Sequence, residues 1–111
     1  MDSDISGDAI TAEQAGEEAI IFNDSGGAID YNLPSAVEGL CVTVKAVSAH
    51  VVTLDSAAGD IIVLLDGTAL DAGDAIDSDG SNGALIRLVA KDATYWYVMA
   101  QVGAWSDGGA D

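Results

Sequence analysis

Gly39-Leu40-Cys41-Val42-Thr43-Val44-Lys45-Ala46 sets large apolar side chains at every second position. Leu40, Val42, Val44 and Ala46 fall on one side, and Cys41, Thr43 and Lys45 on the other. A repeat of two is the signature of an extended strand, in which successive side chains leave opposite faces. The even-numbered set is therefore expected to face a core.

Outward from this stretch, the chain from residue 19 onward is built of short apolar runs spaced about eight to twelve residues apart, a spacing that suits a sandwich or barrel. Strands are expected over residues 19–23, 28–33, 39–46, 50–54, 60–65, 84–90 and 94–101. Between them lie Asp24-Ser25-Gly26-Gly27, Pro34-Ser35, Ala57-Ala58-Gly59-Asp60, Asp66-Gly67, Asp79-Gly80 and Asn82-Gly83. These residue types close tight turns or accept positive φ. The expected fold is all-β, a small antiparallel β-sandwich or barrel over residues 19–111. Residues 1–18 carry six acids (Asp2, Asp4, Asp8, Glu13, Glu17 and Glu18) and no base, which reads as a flexible, extended acidic arm; the alternative is a short helix opened by a capping box at Thr11-Ala12-Glu13-Gln14, with Gly16 inside it.

The 111 residues hold 19 acids against three bases, a formal charge of -16. Such a chain is repelled by nucleic acid and by anionic membranes. Half of the residues are hydrophobic, so the acidity does not imply disorder. The longest purely apolar run is Ile61-Ile62-Val63-Leu64-Leu65, far short of a membrane span, and the amino terminus lacks the basic and apolar regions of a secretion signal.

No set of residues reads as catalytic, and none as a cofactor site. Cys41 is the sole cysteine and sits in an apolar run, where a free thiol behaves as a small hydrophobe. His50 is the sole histidine, with no companion ligand for a metal. Ser48, His50 and Asp55 crowd one short segment, where they project to different faces. Asp77-Ser78-Asp79-Gly80-Ser81-Asn82-Gly83 has the look of a calcium loop, but Asn82 stands where the loop needs glycine and Leu88 where it needs a bidentate glutamate. A hairpin connection explains it better. Asp66, Asp71, Asp74, Asp77, Asp79 and Asp92 are all expected in turns or at strand ends.

Two stretches carry more apolar surface than one core uses. Residues 61–65 are apolar at five consecutive positions, hence on both faces of a strand. In Tyr95-Trp96-Tyr97-Val98-Met99, Tyr95 and Tyr97 point away from the core if Trp96 and Val98 face it, and the opposite phase exchanges the two sets. A neighbouring subunit is the expected cover, because aromatic residues concentrate at interface cores; the alternative is the chain's own amino-terminal arm or a loop lying across the face. The expected contact residues are Tyr95, Tyr97, Ile62, Leu64 and Arg87, the last a base set in the apolar strand Leu85-Ile86-Arg87-Leu88-Val89. Acids at such a seam are not screened by salt, so they are expected to avoid the apolar faces.

Ala57-Ala58-Gly59-Asp60, Gly73-Asp74-Ala75-Ile76-Asp77-Ser78-Asp79-Gly80, Ala84-Leu85-Ile86-Arg87-Leu88-Val89-Ala90, Tyr95-Trp96-Tyr97-Val98 and Gly103-Ala104-Trp105 together resemble small β-domains of tailed-bacteriophage virions. In that family a G-D-x-I turn, an S-D-G turn, a hydrophobic strand, a W-Y-V strand and a closing G-x-W recur. The resemblance spans residues 26–107. It implies a tail-spike-like trimer, found in tail spikes and in free-standing capsid decoration (cement) proteins. A chain of this size suits the second: a non-enzymatic homotrimer on the capsid exterior, assembled in the host cytoplasm, that clamps neighbouring major capsid subunits. The alternative is a receptor- or glycan-binding module of a tail spike or fibre, with Trp96 or Trp105 offering its ring to a sugar.

Overall fold

The computed structural model describes residue 16 and residues 19–23 and 28–110; the expected arm, Gly16 apart, and the turn at 24–27 lie outside the described residues. Among the described residues nine strands form two sheets: β1 (Ala19–Asn23), β2 (Ile29–Asn32), β3 (Cys41–Ala46), β4 (Val52–Asp55), β5 (Ile61–Val63), β6 (Asp74–Ser78), β7 (Leu85–Ala90), β8 (Tyr95–Val102) and β9 (Trp105–Ala110). A five-stranded sheet runs β1-β3-β7-β8-β5, and a four-stranded sheet runs β2-β4-β6-β9. They pack as a sandwich.

The even-numbered residues of 40–46 do face inward. Leu40, Val42, Val44 and Ala46 join Ile21, Ile86, Leu88, Trp96 and Val98 from the same sheet, and meet Tyr31, Val52, Leu54, Ile76 and Trp105 from the other. Each strand contributes alternate side chains, as sheet-on-sheet packing requires.

The expectation of an antiparallel sandwich is corrected: both sheets are mixed. β1 runs parallel to β3, β2 to β4 and β5 to β8, while β3–β7, β7–β8, β4–β6 and β6–β9 are antiparallel. The cause is the path of the chain. From β1 to β7 successive strands alternate between the two sheets. Over β1 to β4 each return to a sheet keeps the original direction, so β1 and β3, and likewise β2 and β4, lie side by side in parallel, whereas the return from β4 through β5 to β6 reverses it.

Three further differences have local causes. The apolar run at 61–65 is a strand only as far as Val63; Leu64 opens a turn, in which the Gly67 N–H donates to the Leu64 carbonyl at 2.9 Å. Gly67 has φ of 94°, a conformation that costs glycine little. Second, residues 74–78 form β6 rather than a turn, so Asp77 sits inside a strand and Asp74 begins it. Side-chain bonds offset its polarity: the Thr53 hydroxyl donates to Asp77 at 2.6 Å, and the Ser78 hydroxyl accepts the Val52 N–H at 2.9 Å. Third, the glycine-bearing tail forms β9 against β6, with a register shift at Ala75/Ile76. Gly108 makes that pairing possible, because a Cβ there would lie 2.8 Å from both carboxylate oxygens of Asp77.

Ile62 is fully enclosed in the core. Truncating it to alanine is expected to cost about 2–5 kcal/mol of stability. Urea denaturation at fixed protein concentration reads this as a lower midpoint; an unchanged midpoint with altered self-association would put Ile62 on a contact surface instead.

Candidate functional site: the outer face of the five-stranded sheet

The odd-numbered residues of β3 and β7 leave the core, and the strand registers align them across the sheet. One row reads Ile20–Thr43–Arg87–Ala100, and the next Phe22–Lys45–Leu85–Val102. On the other side of the first row run Cys41–Val89–Tyr97–Val63, of which Cys41 and Val63 are already buried within the subunit, then Tyr95 beside Ile61. Most of these residues are apolar. None is an acid.

The absence of acid has weight in a chain of 19 acids and three bases. Lys45 and Arg87 stand on this face by register, and the Lys91 ammonium lies 5.3 Å and 5.9 Å from the centroids of the Tyr95 and Tyr97 rings. All three bases of the chain therefore meet on one face or its rim. Lys45 also donates to the Gly83 carbonyl at 3.0 Å, which fixes its reach. The Tyr95 and Tyr97 rings are 6.4 Å apart and tilted by 56°, a favourable aromatic arrangement. Phe22 is 51% exposed and Val102 56% exposed, so the apolar surface continues to the β1 edge and to the end of β8.

The hairpin that presents Tyr95 is braced by an acid at its rim. One carboxylate oxygen of Asp92 accepts the Thr94 N–H at 2.9 Å and the Tyr95 N–H at 3.0 Å, and the other lies 3.4 Å from the Lys91 ammonium. These backbone donors, that of Thr94 foremost, hold the Asp92 carboxyl below the usual range.

The opposite face of the sandwich has the inverse chemistry. The four-stranded sheet turns the row Asp30–Thr53–Asp77–Ser106 outward. At its edge Asp74 is nearly enclosed, and burial followed by the charge of Asp107 pushes its carboxyl above the usual range. The protein therefore has an acidic side and an apolar, cationic side.

Of the five residues expected at a contact, Tyr95, Tyr97 and Arg87 share the acid-free face. Ile62 belongs to the subunit's own core, and Leu64 packs half-buried against that core. Leu64 also lines a cleft of about 280 Å³ with Leu65, Asp66, Gln101 and Trp105. Ile20 and Phe22 belong to the face but escape a reading of single strands, since joining them needs the parallel β1–β3 register; Leu85 and Val89, two residues either side of Arg87, share its face by alternation. Neither indole is offered to solvent: Trp96 is fully enclosed, and Trp105, 7% exposed, donates its ring N–H to the Val102 carbonyl at 3.2 Å. Among the described residues no cluster of three or more His, Cys, Asp or Glu could hold a metal ion. Comparison with protein-family models, curated proteins and solved structures finds no match.

The raised Asp74 carboxyl has a definite sign. A carboxyl that holds its proton more tightly in the folded state than in the unfolded one adds stability at low pH and loses it as pH rises through the folded value. Asp74→Asn is therefore expected to raise the urea midpoint near neutral pH, with the gain shrinking toward about pH 4. A gain independent of pH would show that charge is not its cause.

Proposed function

We propose that the chain is a structural virion protein, a capsid decoration (cement) protein that stabilises a phage head by clamping neighbouring major capsid subunits from the outside. It works as a homotrimer, and it performs no chemistry. The observation that carries this proposal is the outer face of the five-stranded sheet: apolar across its width, free of acid, and bearing every base of a chain with charge -16. Left in water, a contiguous surface of this kind promotes aggregation, so a partner is its natural cover.

The chemistry of the two sides suits that task. Apolar contact on the acid-free side holds the copies of the trimer together, and acids on the far side keep decorated particles apart in solution. Attachment to capsid junctions favours the assembled shell over free subunits by mass action, and three linked contacts hold more firmly than one. The virion-domain resemblance points the same way. The glycan-binding alternative is weakened by the enclosure of Trp96 and Trp105, the two rings it relies on.

Two measurements test the proposal. Mixed with undecorated capsids and, separately, with host cells, the protein is expected to sediment with capsids and to raise their disruption temperature; retention on cells alone would replace decoration with receptor binding. Val89→Glu, which sets an acid in the middle of the face, is expected to split the trimer into single chains and so abolish capsid sedimentation, while the far-ultraviolet circular dichroism stays that of a folded β-protein. Undiminished sedimentation by a folded Val89→Glu protein would remove the face from the contact.

A further inference from the structure

The acid-free face has a complement within the same polypeptide. Residues 1–18 hold six acids and no base, with Ile5 and Ile10 among them, so the segment combines apolar and negative groups where the face combines apolar and positive ones. It leads directly into Ala19, the first residue of β1, which is an edge strand of the sheet that bears the face. Gly16 is helical and lies beside Leu40 of its own subunit, and residues 1–15, fully extended, span about 50 Å. The longest dimension of the molecule is 33 Å, so the segment reaches beyond its own subunit.

We propose that residues 1–15 of a second copy of this chain dock along the outer face of the five-stranded sheet, with their carboxylates set against Lys45, Arg87 and Lys91. The inference rests on the oligomeric reading above and names the element that makes the contact. Two considerations select a second copy over the subunit's own segment. A closed ring of three needs unlike patches on each subunit, one to give and one to receive, whereas two identical flat faces laid together pair only two copies. The segment gives and the face receives. In addition, a segment folded back on its own sheet would neutralise its own bases and leave the bodies repelling each other; exchanged, it turns the same charges into attraction between copies.

The test uses the full chain, half of it labelled with ¹⁵N, unfolded together, refolded as a mixture and treated with a carbodiimide that joins amines to carboxylates at zero length. The chain has two lysines, so the products are few. Lys91 and Asp92, 3.4 Å apart, provide an internal control that links within one chain. Links from Lys45 and Lys91 to acids within residues 2–15 are expected, divided between mixed and single isotopes in the even split of random pairing. Their yield is expected to drop several-fold between about 0.05 M and about 0.5 M salt, as screening shortens the reach of the charges. It is also expected to drop several-fold in Arg87→Glu, a substitution that removes no linking group.

Links confined to single isotopes would overturn the exchange, as would links only to acids beyond residue 15, or a yield indifferent to both salt and Arg87→Glu. Light scattering on the same sample separates this failure from that of the oligomer. A three-chain mass without segment links sinks the exchange alone; a one-chain mass sinks the trimer as well.

Discussion

The pleat of a strand offers two faces, and in the five-stranded sheet both are largely apolar. Val42, Val44, Ile86, Leu88 and Trp96 fill the space between the sheets, while Ile20, Val89, Tyr95 and Tyr97 leave from the other side of the same strands. The four-stranded sheet satisfies only the first set. It closes the core and turns Asp30, Thr53 and Asp77 to solvent, so it behaves as an ordinary half-wet sheet. The molecule is therefore polar on one outer side and apolar on the other.

Electrostatics sharpens this asymmetry. A sandwich of charge -16 whose acids were spread evenly would carry several on each outer face, and each would be costly to enclose. Along the registers of β1, β3, β7, β8 and β5 none falls on the outer side. The acids nearest to it brace its edges, as Asp92 braces the Tyr95 hairpin through two backbone N–H groups. The bases on the face lie against carbonyls and rings, Lys45 on Gly83 and Lys91 over the tyrosine pair. A lysine placed over aromatic rings still presents charge to a partner, and its stem covers apolar surface.

Much of the fold is legible in the sequence, because alternation is a local signal. Leu40 to Ala46 announce their inward side, Ile29–Asn32 and Leu85–Ala90 stand out as runs, and Trp96 and Tyr97 declare opposite phases. β6 and β9 were hidden for a physical reason: their stability comes from partners distant in the chain. Asp77 is a poor strand residue until Thr53 lies opposite, and Gly108 looks like a loop residue until the Asp77 carboxylate occupies the space a side chain would fill. Strand direction was equally hidden, since parallel pairing follows from how connections cross between layers. The contact face was legible in part. Tyr95 and Tyr97 were visible from their phase, whereas Ile62 looked equally available until the parallel β5–β8 register set it beside Trp96.

The central claim is that water is excluded from the outer face of the five-stranded sheet in the working protein. Three tyrosines make this directly measurable by hydroxyl-radical footprinting, because Tyr31 lies fully enclosed in the core and serves as the protected standard, while Tyr95 and Tyr97 stand on the face. The account predicts that at micromolar and higher concentration Tyr95 and Tyr97 are oxidised nearly as slowly as Tyr31, and that dilution into separate chains raises their rates without changing that of Tyr31. Rapid oxidation of Tyr95 and Tyr97 at every concentration, in a protein that stays folded and soluble, would contradict it.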